Sequence, residues 1–479
     1  MKKRLATIFS TLFILLSVVG CANRSNKSSE SYQGHPRIVT IQLAAFNDVH
    51  GNAIDSETGL GISKTATLIN QITNNKENTI LISQGDMWQG SAESNLTKGF
   101  LMTEWMSQQG FVSMTLGNHE FDWGEERIKE NAEIANFPFL GINVYNHSTN
   151  ERPEYCKPSV IVERGGAKIG IIGAAGDNYS SISASKVKDV YFKTGTELDS
   201  LVKHEAKLLK DQGCDMVIYS IHDDDSAYNL ELSKDYVDLV LEGHTHKAYI
   251  RPDSKGVYHM QGGGYNESFS YAKIEIDTLK NSVKIKEKST IVTLSEAKKV
   301  EPEIRSESLF EKYSNIISDA RKPLATLKNR YESDALRQLI SLLYLQEGLV
   351  EWGSEYNIFL GGGYLSCRSP YHLGYGEVSY ADIYNLFPFD NNIQLCSLKG
   401  SDLRKRFTET DNKNYFVSYS DYGNDTKDNI DPNETYYIVT DTYCSDYAPN
   451  NLTVVAEYSD ANCYARDLVA SYITEGLLA

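Results

Sequence analysis

The sequence predicts an α/β chain built from two domains, and three observations lead to that prediction. Its 479 residues exceed what one hydrophobic core usually serves. Hydrophobic residues make up 41% and charged residues 23% of the chain, which is typical of a globular protein rather than a disordered one. Short apolar runs recur along residues 38–295, each followed by an abrupt polar segment. Such runs are typical of strands whose ends carry functional loops.

The net charge of the chain argues against one class of binding partner, the nucleic-acid polymers. Lysine and arginine number 47 against 64 acidic residues, so the net charge is −17. Binding of a nucleic-acid polymer depends on neutralising many phosphates, which this balance disfavours. A small anionic substrate would instead need local positive charge.

The beginning of the chain is typical of an export signal. Lys2, Lys3 and Arg4 precede the apolar stretch 5–19, which is too short and too terminal for a stable spanning helix. The stretch ends in Val18-Val19-Gly20-Cys21, which resembles a bacterial lipobox. We therefore expect residues 1–20 to be removed, Cys21 to be lipidated and 21–36 to form a polar tether. The predicted product is an extracytoplasmic lipoprotein held at the membrane by its lipid alone; an ordinary secretory signal with a chance cysteine is the alternative.

The remaining cysteines suggest no thiolate metal site. They are Cys156, Cys214, Cys367, Cys396, Cys444 and Cys463. None forms a C-x-x-C pair, the spacing typical of zinc and redox sites. Export would permit disulfides, but their pairing stays open at this stage.

Five apolar runs lead into side chains that can bind metal ions. They are 38–46 before Asp48-Val49-His50, 79–83 before Gln84-Gly85-Asp86, 111–116 before Gly117-Asn118-His119-Glu120, 216–221 before His222, and 237–241 before Glu242-Gly243-His244-Thr245-His246. Ligands of open α/β sheets bind at the carboxyl ends of the strands, so one shared crevice is expected. Any one of these short motifs alone is more often accidental. Their joint occurrence is what predicts a site.

The residue types favour a pair of transition-metal ions. In Asp48-x-His50 and His244-x-His246, a spacing of two along extended backbone would place both side chains on one face. Asp86 can bridge two cations through one carboxylate. Asn118 adds an amide oxygen and His222 an imidazole, a mixed set suited to Zn²⁺, Mn²⁺, Fe or Co²⁺ rather than Ca²⁺. Two such ions, about 3.5–4 Å apart, can clamp a phosphoryl group and activate water for in-line attack.

His119 and Asp122 suggest a proton-transfer pair. Asp122 lies three residues after His119 and can fix its tautomer and keep it cationic. Such a pair would stabilise or protonate a leaving oxygen.

These motifs resemble those of a known family. The order Asp48-x-His50, Gly85-Asp86, Gly117-Asn118-His119-Glu120, His222 and Gly243-His244-x-His246 is similar to that of calcineurin-like metallophosphoesterases. In the second half, Arg330-Tyr331-Glu332-Ser333, Gly361-Gly362-Gly363 and the segment 379–391 resemble the C-terminal domain of the bacterial 5′-nucleotidase and UDP-sugar hydrolase family. The resemblance covers nearly all of the mature chain.

The resemblance implies a specific organisation. A metallophosphoesterase β-sandwich flanked by helices would span 37–298, a linker helix 299–322, and an α/β nucleotide-binding domain 323–479. The apolar stripe of the linker comprises Ile304, Leu309, Tyr313, Ile316 and Ile317.

It also implies roles for the motif residues. Asp48, His50, Asp86 and His246 would hold one ion, and Asp86, Asn118, His222 and His244 the other. His119 and Asp122 match the family's catalytic pair.

The predicted substrate pocket departs from the family pattern. Leu365 stands where the family's Gly-Gly-Gly segment usually leads to an arginine, and Arg368 is the nearby substitute; an exposed, solvated arginine is the alternative. Phe416 is nominated as the first base-stacking ring, with core packing as the alternative. Tyr443 or Tyr447 is nominated as the second, because the usual glycine-rich loop is altered.

The acidic run Asp223-Asp224-Asp225 after His222 is also unusual. It can add a carboxylate near the metals or form a solvated loop, and charge runs usually face water.

Three functions agree with these residues. The first is a 5′-nucleotidase that releases phosphate from nucleotides. The second applies the same metals to a 2′,3′-cyclic nucleotide or a UDP-sugar. The third is a non-catalytic surface binding protein, which predicts lost ligands, whereas every ligand position here is filled. The expected partner is a nucleotide or related phosphoester.

Overall fold

The computed structural model describes residues 38–55, 59–73, 76–177, 181–183, 186–224, 235–286, 289–293, 299–364, 367, 372–408, 415–419, 430–446 and 450–477. The predicted signal peptide, the tether and Cys21 lie outside these ranges. In the described part of the chain, no helix combines the length and apolarity that a membrane crossing requires.

The described strands are named in chain order: β1 (Ile38–Phe46), β2 (Thr79–Ser83), β3 (Phe111–Thr115), β4 (Phe139–Leu140), β5 (Val144–Asn146), β6 (Ser159–Arg164), β7 (Ala167–Ala174), β8 (Val190–Phe192), β9 (Met216–Ile221), β10 (Leu239–Leu241), β11 (Ala248–Pro252), β12 (Tyr258–Gly262), β13 (Ser268–Asp277), β14 (Ser282–Ile285), β15 (Thr290–Thr293), β16 (Pro323–Leu327), β17 (Ile358–Tyr364), β18 (Gly376–Ser379), β19 (Ile393–Lys399), β20 (Tyr415–Tyr419), β21 (Thr435–Asp441) and β22 (Thr453–Glu457).

The described α-helices are α1 (Ile62–Ile72), α2 (Ala92–Leu96), α3 (Phe100–Gln109), α4 (Glu125–Ile134), α5 (Gly195–Asp211), α6 (Ile304–Lys312), α7 (Ser314–Ala320), α8 (Ser333–Trp352), α9 (Tyr380–Leu386), α10 (Gly400–Thr408), α11 (Thr442–Asp446) and α12 (Ala465–Thr474). A short 3₁₀ turn covers His119–Phe121.

Two sheets face each other in the N-terminal region, which we define as residues 38–293. The first has the order β14-β13-β1-β2-β3-β4, with β15 also paired to β13, and the second has the order β11-β12-β10-β9-β7-β6. Neighbours from β1 to β4 run parallel, as do β7, β9, β10 and β12. Ile41, Ile82, Ile171 and Ile218 share the buried layer between the sheets. The parallel strands are apolar on both faces, as sheets covered on both sides require.

Helices cover the two outer faces. Phe46 and Met114 of the first sheet pack in the same cluster as Leu101 and Trp105 of α3. On the second sheet, α5 packs Leu198, Val202 and Leu209 onto the strands. The predicted β-sandwich flanked by helices is thereby confirmed.

The C-terminal region, residues 323–477, contains a sheet of order β20-β17-β21-β19-β22. Helix α8 packs Ile340 and Tyr344 against Leu395 and Val439 on one face, while Leu403 of α10 packs with Leu360 in the cluster on the other. The predicted α/β character of this region is also confirmed.

The segment between the regions forms two helices rather than one continuous helix. Helix α6 ends at Lys312 and α7 begins at Ser314. Leu309 and Ile317 of the predicted stripe are buried, but Ile304 is 84% and Ile316 48% exposed. Ile304 lies five positions before Leu309 in α6, and Ile316 is adjacent to Ile317 in α7. Neither spacing places both side chains on one face of a helix, so one continuous stripe does not form.

The two regions are joined by polar contacts around α2. The Ala92 amide donates to Asn385 Oδ1 at 3.0 Å, and Asn95 Nδ2 donates to the Pro388 carbonyl at 2.9 Å. Asp390 pairs across the boundary with Lys98 at 3.1 Å and, within the C-terminal region, with Arg466. Since donors and acceptors from both regions are satisfied across the boundary, these contacts fix the segment 385–390 beside α2.

Cys156, Cys214, Cys367, Cys396, Cys444 and Cys463 are free thiols. Apart from Cys463, which is half-buried, all are buried.

Candidate metal and substrate site

The strand ends of both sheets open onto one crevice. Asp48 follows β1, Asp86 follows β2 and Asn118 follows β3, while His222 follows β9 and His244 follows β10. Because β1, β2 and β3 are parallel, as are β9 and β10, their carboxyl ends lie along common edges. The structure therefore brings together residues that are nearly 200 positions apart in the chain.

The backbone at these residues is not extended, in contrast to the prediction from the spacing. Asp48, His50 and Asp86 have φ values of 51°, 50° and 54°, and His244 and His246 have 72° and 57°. Non-glycine residues adopt this left-handed conformation rarely and at a cost of about 1–3 kcal/mol each, most often at functional sites. The side chains of each pair converge because tight turns aim them, rather than because a strand does.

Hydrogen bonds hold these turns in place. The amide of Asp48 donates to the Gly85 carbonyl at 3.0 Å, and the amide of His50 donates to the Asp86 carbonyl at 2.9 Å. The His244 amide donates to the Asp48 carboxylate, with its nitrogen 2.9 Å from Oδ2. The first and last ligand turns are thus bonded directly to each other.

Gly117 allows the close approach of two of these turns. A Cβ atom at this position would lie 2.2 Å from Asp86 Oδ1 and 2.7 Å from the Asp86 nitrogen. Any larger residue would displace the Asp86 carboxylate, so the glycine is required by contact.

Three groups of potential ligand atoms result. One of them, His50, Asp86 and His119, shares His50 with one of the other groups and Asp86 with the remaining one. These other two groups contain the residues predicted to hold the ions. Asp48, His50 and His246 form one, with His50 Nε2 3.0 Å from His246 Nε2 and His246 Nε2 3.4 Å from Asp48 Oδ1. Asp86, His222 and His244 form the other. The ligand atoms within each group lie within 4.8 Å of one another.

Asn118 belongs to the second group. Its Oδ1 lies 3.1 Å from His222 Nε2 and 3.0 Å from His244 Nδ1. Asp86 Oδ2 is 3.1 Å from His222 Nε2. The donor set is the mixture of carboxylate, imidazole and amide oxygen that suits first-row divalent cations, so the residues fit metal ions.

Two backbone carbonyls orient the imidazoles. His222 Nδ1 lies 2.7 Å from the Gln84 carbonyl and His50 Nδ1 lies 3.0 Å from the Gln89 carbonyl. Each carbonyl accepts the Nδ1 proton, which turns the Nε2 atom toward the ligand group.

The electrostatics also favour a cation. Burial alone would raise the pKa of Asp86, but the neighbouring His222 and His119 imidazoles hold it well below its usual range. Burial alone would lower the pKa of His222, yet Asp86 and Asp48 raise it to about 10. The carboxylates thus create a negative potential strong enough to stabilise positive charge inside the fold.

Glu120, the last residue of the Gly117-Asn118-His119-Glu120 motif, is a buried residue of the site to which the sequence analysis gave no role. Its Oε2 accepts from the amides of Asp86 and Gly117, each at 2.8 Å, and its Oε1 accepts from the Met87 amide at 2.9 Å. Burial and the Asp86 charge raise the pKa of Glu120 to about 7. Its place in the Gly-Asn-His-Glu motif was its signal in the sequence.

His119 and Asp122 lie together beside the ligand groups. His119 Nδ1 is 2.7 Å from Asp122 Oδ2, and the His119 amide donates to Asp86 Oδ1 at 2.9 Å. The His119 ring centroid lies 5.2 Å from that of His50 and 5.7 Å from that of Phe389. His119 therefore stands between the ligand groups and the C-terminal region.

A cavity of about 260 Å³ adjoins this histidine. Asn118, His119, Asp122 and His244 line it from the N-terminal region, together with Lys186. Its other lining residues include Phe389, Asp390 and Tyr443 from the C-terminal region. The cavity thus offers imidazole, ammonium and aromatic groups to one ligand.

The residues nominated for substrate binding have different outcomes. Tyr443 lines the cavity. Arg368 and Tyr447 lie outside the described residues. Phe416 lies on β20, where its backbone is paired with Gly363, and its side chain is not among those described. Phe389, which lines the cavity, was missed although it stands in the quoted segment 379–391.

Family models match both parts of the chain. The calcineurin-like phosphoesterase model matches residues 41–248, and the model of the 5′-nucleotidase C-terminal domain matches residues 359–448.

Relatives and solved structures agree with these matches. Protein UshA of Yersinia enterocolitica is 24% identical, with 84% of each chain covered. Endonuclease YhcR of Bacillus subtilis is also 24% identical over 77% of this chain, which spans only 32% of that protein. The 5′-nucleotidase precursor of Thermus thermophilus has the same fold at 17% identity, with a TM-score of 0.72 over 91% of this chain and 96% of that one.

The sandwich with its ligand turns matches the first family model and the C-terminal sheet matches the second. The chain therefore belongs to the calcineurin-like metallophosphoesterases with a 5′-nucleotidase C-terminal domain, a family of phosphoric ester hydrolases.

Proposed function

We propose that this protein is a 5′-nucleotidase that releases phosphate from nucleotides through a dinuclear metal centre. The observation that carries the proposal is the juxtaposition of two ligand groups, the His119–Asp122 pair and an aromatic-lined cavity. Each part alone is compatible with other chemistry. Together they can activate water, transfer a proton to the leaving group and bind the rest of a nucleotide.

The two ligand groups would share the bridging carboxylate of Asp86. Asp48, His50, Asp86 and His246 would hold one ion, and Asp86, Asn118, His222 and His244 the other. When bound, two divalent cations supply Lewis-acid charge and lower the pKa of coordinated water toward neutrality. Zn²⁺, Mn²⁺, Co²⁺ and Fe all suit the donor set.

His119 would handle the proton of the leaving group. Asp122 accepts the Nδ1 hydrogen at 2.7 Å, which leaves Nε2 as the atom that faces the substrate. The Asp122 charge favours the imidazolium, so His119 can stabilise or protonate the leaving oxygen.

The cavity would bind the remainder of the nucleotide. Phe389 and Tyr443 provide rings for a base. Both carboxylates that line the cavity are already paired, Asp122 with His119 and Asp390 with Lys98 and Arg466. Lys186 therefore adds positive charge for an anionic substrate, a role for which the sequence had nominated Arg368.

A second substrate class is favoured by one observation. Lys186 also lines a groove of about 1110 Å³ that begins next to the cavity. A leaving group larger than a nucleoside, as in a UDP-sugar, would have space there. A 2′,3′-cyclic nucleotide remains an alternative for the same metal site.

The proposal extends to location. The lipobox-like end of the apolar stretch 5–19 supports lipid attachment at Cys21 and an extracytoplasmic enzyme anchored to the membrane. Replacing Cys21 with serine should release the protein from membrane fractions, and an unmodified Cys21 in the mature wild type by mass spectrometry would contradict the anchor.

A substrate panel tests the activity. The chain from residue 22 onward, loaded with Mn²⁺ or Zn²⁺, should release phosphate from AMP and ADP, and the Asp86→Ala variant should release none. UDP-glucose and 2′,3′-cyclic AMP test the alternatives. Activity on 4-nitrophenyl phosphate without activity on any nucleotide would contradict the proposed substrate class, and full activity in Asp86→Ala would contradict the metal mechanism.

A further inference from the structure

The acidic run after His222 contains a residue with a defined partner. Asp224 is only 16% exposed, in contrast to a solvated loop carboxylate. Its neighbour Asp223 accepts from the Asp177 amide at 3.1 Å and from the Asp224 amide at 2.7 Å. The backbone of Asp224 is thus bonded to Asp223, which is itself bonded to Asp177.

Asp224 contacts the turn that carries two other metal ligands. Its Oδ2 accepts from the hydroxyl of Thr245, with an oxygen–oxygen distance of 2.7 Å, and forms an ion pair with Lys247. Thr245 lies between His244 and His246 in sequence. Asp224 therefore connects the segment after His222 to Thr245 and Lys247, the two residues that directly follow His244 and His246.

Gln261 supports the same turn from β12. Its Oε1 accepts from the Lys247 amide at 2.6 Å and lies 3.1 Å from Thr245 Oγ1. His244 and His246 face the ligand groups, whereas Thr245 and Lys247 are bonded to Asp224 and Gln261. The turn is held on the side opposite the metal site.

The turn needs such support because its backbone is unfavourable. His244 and His246 both have left-handed φ values, 72° and 57°. Conformations of this kind persist only when surrounding contacts determine them.

We propose that Asp224 is a positioning residue that holds the His244–His246 turn at the correct distance from His222, and thereby sets the affinity of the metal centre. This inference rests on the dinuclear site of the proposed function. Asp224 would act through Thr245, and hydrogen-bond partners behind metal ligands typically change metal affinity by about 10- to 100-fold.

Metal binding provides the test. The wild type, Asp224→Asn and Asp224→Ala should be loaded with Co²⁺, and the affinity measured by chelator competition together with the visible absorption spectrum. We expect about 10- to 100-fold weaker binding and an altered cobalt spectrum in Asp224→Ala, with recovery of nucleotide hydrolysis at saturating metal. Asp224→Asn should lose less, because its amide oxygen can still accept from Thr245 while the charge facing Lys247 is gone. Asp319→Asn, which breaks the exposed pair with Lys322, is the matched control and should bind Co²⁺ as the wild type does.

A double-mutant cycle keeps the test decisive if Asp224→Ala does not fold. Thr245→Val keeps the side-chain shape and removes the hydroxyl. If Asp224 acts through that hydroxyl, Asp224→Asn combined with Thr245→Val should weaken binding little more than the larger single change. Fully additive losses, or wild-type affinity and spectrum in both Asp224 variants, would overturn the inference. A wild type that binds two ions but hydrolyses no nucleotide would instead contradict the proposed function and leave the positioning role intact.

Discussion

Asp86 and Tyr443 border the same crevice, but the fold holds them differently. Asp86 is 2% exposed, and its backbone and carboxylate are bonded to Glu120 and to the His119 amide. Tyr443 is 43% exposed and lies on the short helix α11 of the other region. The candidate metal ligands are thus fixed within one sandwich, whereas residues from both regions line the cavity. We expect substitutions of the candidate metal ligands to lower the catalytic rate, kcat. Substitutions in the cavity should instead weaken substrate affinity.

Among substitutions that leave the candidate metal ligands in place, His119→Asn should lower kcat the most. His119→Asn should lower kcat by about 10²–10⁴-fold while metal content stays unchanged, because the proton donor is lost. The loss should be smaller with 4-nitrophenyl phosphate, whose leaving group needs little protonation. Steady-state kinetics on AMP and on this ester measure both effects.

The control for this prediction is a histidine far from the crevice. His204 is an exposed residue of α5, and His204→Asn should leave kcat unchanged. An equal loss on both esters in His119→Asn would argue against a role in leaving-group protonation.

Asp390 tests a buried ion pair of the C-terminal region at the boundary with the N-terminal region. Its side chain is 16% exposed and that of its partner Arg466 is 4% exposed, so Asp390→Asn leaves a buried cation poorly compensated. We expect a loss of about 2–4 kcal/mol in the free energy of unfolding near neutral pH. Asp334→Asn, in which the lost carboxylate of an Asp–Arg pair is 80% exposed, should cost less than about 1 kcal/mol.

The pH dependence of this difference has a defined sign. Burial would raise the pKa of Asp390, but Arg466 and Lys98 lower it below the usual value. A lowered carboxyl pKa stabilises the fold fully above the unfolded value of about 3.9, and this contribution is lost as the pH falls through the folded value. Denaturant unfolding should therefore show the gap between wild type and Asp390→Asn narrowing below about pH 4. A gap that stays constant would contradict the ion-pair explanation.

Phe389 gives the smallest expected effect and the sharpest test of the cavity. Phe389→Ala should raise the KM for AMP by an amount equivalent to about 1–3 kcal/mol, the range for stacking of a base on an aromatic ring. Glycerol phosphate, which has no base, should be affected little. The exposed Tyr375 provides the control, since Tyr375→Ala removes an aromatic ring that is 80% exposed and does not line the cavity. Equal losses on AMP and glycerol phosphate would exclude a base-stacking role.

The site was predictable from sequence wherever a ligand follows an apolar strand. The runs 38–46, 79–83 and 216–221 coincide with β1, β2 and β9, so Asp48, Asp86 and His222 could be assigned to one crevice at the strand ends. The spacing of two was interpreted as extended backbone, and this was wrong, because the Asp-x-His and His-x-His residues have left-handed φ values in tight turns. Local pattern shows which side chains alternate, but not how a turn aims them.

Three features could not be found from local pattern. Glu120 acts by accepting backbone hydrogen bonds, which have no characteristic spacing. Phe389 reaches the cavity only because the segment 385–390 is fixed beside α2. Asp224 looked like part of a solvated acidic run, since its partner Thr245 lies 21 positions away. In each case a tertiary contact determines the role.

The shared lining of the cavity has a thermodynamic consequence. A nucleotide that touches Phe389 and His119 at once would tie the C-terminal sheet to the sandwich, much as a crosslink does. A ligand that binds the folded chain and not the unfolded one shifts the folding equilibrium toward the folded state. A bound nucleotide should therefore raise the resistance of this protein to heat and to protease. Saturation with product should therefore protect this enzyme from unfolding and proteolysis. The protection should be smaller in a variant that lacks the Asp390 ion pairs.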